Sequence, residues 1–238
     1  MAVESGKQYE IDMCSGSVLR KMLAFALPLM CSSILQLLFN AADIVVVGHF
    51  AGDNALAAVG SNTSLINLMT NLFIGLSIGT NVLAARCQGA QDEEGLRRTV
   101  HTSMLLSLLS GLLLTVVGIL GAKQILIWMQ TPPEVLDLAA RYLRIYFLGM
   151  TAMMIYNFGS ALLRAVGDTR RPLYFLLTAG IINVGLNLLF VIVFHWGVAG
   201  VAIATTISQC VSAALIVMCL MHENSGIHLV PDALQIHG

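Results

Sequence analysis

Six runs of this 238-residue chain are each long and apolar enough to cross a bilayer, at roughly 22–47, 59–84, 100–122, 142–163, 173–194 and 198–221. A spanning helix needs about 20 mostly apolar residues, because lipid cannot hydrogen-bond an exposed backbone. The alternating ten-residue pattern of barrel strands is absent, so the runs predict an all-α polytopic bundle of six transmembrane helices. Charged residues make up only 11% of the chain, against roughly 25% in a soluble domain, so most of its surface must face something other than water. The first run is too long for the apolar core of a cleaved leader and reads as a retained helix.

The breakers fall between the runs: Gly48 to Asp53, Gln88 to Gly95, Thr131-Pro132-Pro133, Gly167 to Pro172, and His195-Trp196-Gly197. They divide the chain into an N-terminal segment (1–18), a six-helix body (19–221) and a polar tail (222–238) that resembles a connection toward something further. With the N-terminus inside, nine of the 12 Lys and Arg residues fall on the cytoplasmic side; Lys123, Arg141 and Arg144 fall outside. This bias predicts that both ends of the chain are cytoplasmic. Trp128 and Trp196 fall at the outer boundary, where an aromatic belt is expected. His49, His101 and His195 stand at span ends and read as interfacial residues.

Two cytoplasmic connections share a pattern. Arg86 leads to Gly89, Asp92 and the pair Arg97-Arg98; Arg164 leads to Gly167, Asp168 and the pair Arg170-Arg171. Good turn chemistry used twice and a true internal repeat both account for the likeness.

Asp43 is the one acid well inside a run. A carboxylate at the bilayer centre costs at least about 2.5–3.5 kcal/mol unless it is protonated, paired or watered. It ends a polar stripe, Ser32, Gln36, Asn40 and Asp43, on one helical face, with Pro28 below it as a place where the helix can bend. One reading makes Asp43 functional; the other lets it reach headgroups at the outer end of its helix. Further polar faces follow in other spans: Ser64, Asn67 and Asn71; Met150, Met153, Met154 and Asn157; Asn183 and Asn187; Thr205, Gln209 and Ser212. Interhelical packing explains any one of them, at about 0.6 kcal/mol per hydrogen bond. Five such faces together suit a watered cavity, with the methionines, Tyr146, Phe190 and Phe194 as adaptable walls for a bulky organic ligand.

No hydrolase, metalloprotease or phosphate-loop signature is present, which argues against an enzyme. A net charge of −1 offers no basic patch for nucleic acid. The cysteines and histidines have no metal-ligand spacing, and nothing implies a cofactor.

The run Pro28, Gln36, Asn40, Asp43, Gly48-His49 and Ala57-Ala58-Val59-Gly60 resembles the first-helix signature of the MATE (multidrug and toxic compound extrusion) family. Gln88-Gly89-Ala90, the stretch Leu163 to Thr169 and the stretch Gly197 to Thr205 carry the same resemblance. It implies one six-helix lobe of a two-lobe antiporter in the plasma membrane, the inner membrane of a bacterium. Such a protein expels drugs or other amphipathic compounds against a proton or sodium gradient. Residue by residue, the resemblance assigns cation coupling to Asp43, where Na+ could bind, with Asn157, Asn183, Asn187 and Thr205 as its neighbours. Gln36, Asn40, Asn67, Asn71, Met150, Met153, Met154 and Gln209 are expected to line the cavity, and Pro28 to act as a hinge. Position 187 is Asp in a number of family members and Asn here, which leaves proton and sodium both open. The expected partners are membrane lipid, small organic substrates, and a second lobe or a second copy of the chain. Three other readings remain: a membrane scaffold that transports nothing, an inactive fragment, and a flippase for lipid-linked sugars.

Overall fold

A computed structural model describes residues 18–223 and 227–229. It contains seven α-helices and, among the described residues, no strand. They are α1 (Val18–Phe50), α2 (Asp53–Gly89), α3 (Glu93–Trp128), α4 (Pro133–Leu148), α5 (Met150–Ala165), α6 (Arg170–Leu188) and α7 (Gly197–Met221). Five of the spans are helices long and apolar enough to cross a bilayer, and α4 with α5 forms a sixth, bent by 46°. The chain is thus an all-helical membrane bundle, and its turns alternate between an arginine-rich end and the opposite end.

The fourth span differs from its sequence reading: it begins at Pro133 instead of 142, and it is broken. The early start was hidden because α4 is amphipathic. Val135, Ala139, Tyr142, Leu143 and Tyr146 are buried on one face, while Glu134, Asp137, Arg141 and Arg144 are exposed on the other. A window scored for apolar length passes over such a helix. Pro133 at its first position has no intrahelical bond to lose.

The break at Gly149 is held open by its neighbours. The Gly149 amide donates to the Tyr146 carbonyl at 3.0 Å, which leaves Ile145 O without its usual helical partner. The Thr206 hydroxyl of α7 donates to Ile145 O at 3.0 Å, and the Thr115 hydroxyl of α3 donates to Phe147 O at 2.9 Å. Freed carbonyls at membrane depth need such partners. A side chain at position 149 would run into α7, whose Thr206 Cα lies 3.3 Å from where a Cβ would stand.

The core has two parts. Toward the middle and the opposite end, Val47, Leu126, Leu143, Met150, Met154, Phe158 and Val201 pack together. Toward the arginine-rich end, Leu96, Val100, Leu162, Leu163, Ile216 and Leu220 do, joined by Ile227 and Leu229 from beyond α7. Helix α1 stands at the edge, packed chiefly on α6, where Phe39 lies against Gly180, a position with no room for a side chain. It runs unbroken through Pro28, although proline cannot donate to the Ala24 carbonyl one turn earlier.

After Asn187 the fifth span ends in a π-helical turn, Leu189–Val193. Phe190 and Phe194 stack with Trp196 there, their ring centroids 5.1–6.0 Å apart. Trp128 and Trp196 are both exposed at this end.

Candidate functional site

A cavity of about 490 Å³ opens between α1, α2, α4, α5, α6 and α7. The polar stripe of α1 faces it, since Gln36, Asn40 and Asp43 all line it. Asn67, Met153, Asn157, Asn183, Thr205, Gln209 and Ser212 line it as well, so the structure brings together polar groups from five of the six spans.

Asp43 is half-buried and lines the cavity inside the bundle. Asn187 lies behind it, fully buried, and its amide donates to the carboxylate. The same amide nitrogen donates to Asn183 Oδ1 at 3.2 Å, and Asn183 Nδ2 donates to the Thr205 hydroxyl at 3.3 Å. Thr205 in turn donates to the Val201 carbonyl at 3.0 Å. A chain of polar groups therefore runs from α1 through α6 to α7. The i, i+4 spacing of Asn183 and Asn187 puts both amides on the face of α6 that meets α1. Nothing cationic pairs with Asp43 among the described residues; its hydrogen bond is from the Asn187 amide, and Tyr142 and Tyr146 line the same cavity. A carboxylate hydrogen-bonded but not neutralised can hold a proton or a small cation and release it again.

Six residues expected at the cavity do not line it. Met150 and Met154 are fully buried in the apolar core, on a face of α5 that does not meet the cavity. Asn71 is exposed and donates to the Asn67 carbonyl at 2.8 Å. The face of α2 that meets the cavity carries Val59, Thr63, Ile66, Asn67 and Thr70, so only Asn67 of the expected stripe reaches it, at its margin. Asn187 reaches the cavity only through Asp43. Phe190 and Phe194, expected as walls, belong to the aromatic stack at the outer end.

The walls are instead tyrosines and Phe39. Tyr142 and Tyr146 stack at 6.1 Å on the buried face of α4, and Tyr156 lies deeper on α5, donating its hydroxyl to the Pro172 carbonyl at 2.9 Å. Tyr142 and Tyr156 escaped the sequence reading; the i, i+4 pair on an amphipathic helix next to Pro133 was the signal available for Tyr142. Among the described residues no Lys or Arg lines the cavity, and no cluster of three or more His, Cys, Asp or Glu could hold a metal ion.

A sequence model of the family described as MatE matches residues 28–189. The chain is 32% identical over 200 residues to the probable multidrug resistance protein YpnP of Bacillus subtilis, a match covering 83% of this chain and 44% of that protein. It is 29% identical to the probable multidrug resistance protein NorM of Thermotoga maritima, over 83% of this chain and 43% of that one. Among solved structures, a crystal structure of MATE in the bent conformation superposes with a TM-score of 0.86 at 27% identity. That match covers 92% of this chain and 49% of the other. The chain spans about half the length of the relatives it matches.

Proposed function

The chain belongs to the MatE family, and on that premise we propose that it serves the export of amphipathic organic compounds in exchange for a cation, H+ or Na+. The observation that carries this reading is Asp43: an acid at the edge of a cavity, held by Asn187 and lacking a counter-ion among the described residues. Its charge is compensated only by something that comes and goes. A coupling cation supplies that compensation in one state, and a positively charged or polarisable substrate against Tyr142, Tyr146 and Met153 supplies it in the other. Exchange requires that each ligand prefer a different conformation, since equal affinity for both shifts nothing. Bending of α1 at Pro28 is the proposed rearrangement, because α1 bears Asp43 and stands at the edge of the bundle.

In this reading residues 19–221 form one lobe, and a second six-helix lobe or a second copy of the chain completes the pathway. An even number of spans gives two such units the same orientation in the bilayer. The arginine-rich end and both chain ends face the cytoplasm by the charge bias. A cavity lined by no cation among the described residues disfavours a pyrophosphate-bearing lipid as the cargo.

The test is drug accumulation in cells with and without the chain, repeated after collapse of the proton gradient and then of the sodium gradient. Gradient-dependent exclusion of the drug is expected, and Asp43→Asn should abolish it at unchanged expression. Efflux at the wild-type rate in that variant rules out the coupling role; a chain that excludes no drug under any gradient favours an assembly partner.

A further inference from the structure

A second polar cluster lies outside the cavity, at the arginine-rich end. In the α5–α6 turn the fully buried Asp168 caps α6: its Oδ1 accepts from the Arg170 amide at 3.0 Å and the Arg171 amide at 3.1 Å. Its other oxygen accepts from Arg171 Nε. The same guanidinium reaches across to the residue that follows α7 by two positions, donating from Nη1 to Glu223 Oε2 at 2.5 Å. Its Nη1 also lies 3.3 Å from Cys219 Sγ. The side chains of Asp168, Glu223 and Arg171 are 0%, 4% and 15% exposed.

Ile227 and Leu229 are buried in the apolar cluster with Leu96, Leu162 and Leu220, and the Leu229 amide donates to the Leu220 carbonyl at 3.0 Å. His228 Nδ1 lies 2.7 Å from the Glu223 carbonyl. Among the described residues, Glu223, Ile227 and Leu229 are thus fastened by a charged contact, apolar packing and a backbone hydrogen bond.

We propose that Arg171 is a latch that joins the segment following α7 to the first turn of α6, so that displacement of that segment is delivered to the helix carrying Asn183 and Asn187. Two features support a device that is either closed or open. A buried carboxylate stripped of its cation is costly enough that half-made arrangements are disfavoured. A helix is stiff along its axis, and the twelve residues from Arg171 to Asn183 span about 18 Å. Tyr156, bonded to the Pro172 carbonyl at the same first turn, ties the latch to the cavity wall as well. The fastening is a claim about this chain alone; its effect on Asn183 and Asn187 rests on the transport reading above.

The experiment uses Glu223→Gln in the full chain in lipid nanodiscs, with hydrogen exchange followed by mass spectrometry. Exchange in peptides spanning 222–229 is expected to accelerate at least tenfold, with α2 to α5 unchanged as the control for folding. Unchanged exchange at 222–229 overturns the latch, because Ile227 and Leu229 then suffice. Arg171→Lys, which keeps the cation, should restore part of the protection that Arg171→Gln loses; equal loss in both also overturns it. In the efflux assay Glu223→Gln should lower transport several-fold while leaving Asp43 in place. Faster exchange with wild-type efflux overturns the link to α6. Failure of the wild-type chain to transport counts against the proposed function and leaves the exchange result to decide the latch.

Discussion

Asp43 and Asp168 are two acids of the same chain taken out of water in opposite ways. Asp168 is fully buried, but two backbone amides and the Arg171 guanidinium surround it. Asp43 is half-buried and has one neutral amide, with no cation near it among the described residues. The first is permanently compensated and belongs to the architecture. The second has no such charge among the described residues, and the proposed coupling role rests on that difference. Burial alone therefore does not mark a functional acid; what separates the two is whether the protein itself supplies the opposite charge.

The largest effect that tests this contrast is on stability. Asp168→Ala removes the cap of α6 and takes one of the two buried carboxylates from Arg171, and should cost about 3 kcal/mol or more, the range for breaking a buried pair. Asp43→Ala should leave stability unchanged or slightly raised, because no opposite charge is stranded. Thermal unfolding in detergent measures both. Equal destabilisation by the two variants would erase the distinction.

A smaller effect concerns the amides behind Asp43. Asn187→Leu strips the carboxylate and Asn183 Oδ1 of their donor, which should cost about 1–3 kcal/mol, the range for orphaned buried acceptors. Asn187→Asp places a second acid beside Asp43. It should leave folding intact when a cation is present and make the unfolding temperature depend on added sodium or on acid. An unfolding temperature that neither ion moves would show that the pair does not bind a cation.

Much of this arrangement was legible in the sequence, for definable reasons. Long apolar runs give spans directly, and the stripe from Gln36 to Asp43 faces the cavity because helical spacing fixes a shared face. The 183/187 pair meets Asp43 for the same reason. What escaped depends on the relative rotation of helices, which no local pattern encodes. Met150 and Met154 pack into the core, and Asn71 stands on an exposed face of α2. The amphipathic α4 hid Tyr142 among arginines. Glu223 reads in sequence as part of a polar tail, and only the fold sets it against Arg171, 52 positions away in the chain. Residues 1–17, 224–226 and 230–238, which include most of both expected end segments, lie outside the described residues.

The likeness of the two arginine-rich turns sharpens the comparison further. In each, an aspartate amide closes the preceding helix by donating five residues back, Asp92 to the Cys87 carbonyl at 2.9 Å and Asp168 to the Leu163 carbonyl at 3.0 Å. In each, the residue just before the aspartate has positive φ, 57° at Gln91 and 89° at Gly167. The backbone solution is shared; the surroundings are not. Glu94 pairs with Arg98 at 3.0 Å on an open surface, both more than half exposed, whereas Arg171 is enclosed. Arg98→Ala should therefore shift stability by about 0.5 kcal/mol or less, as exposed pairs do. At the strained position the order reverses between the turns. Gln91→Gly should stabilise by about 1 kcal/mol or less, since glycine adopts positive φ without the steric cost borne by a side chain. Gly167→Ala should destabilise by about 1–2 kcal/mol for the same reason in reverse. If both substitutions moved the unfolding temperature in one direction, the two turns would not be equivalent in backbone, and their shared pattern would be a coincidence of composition.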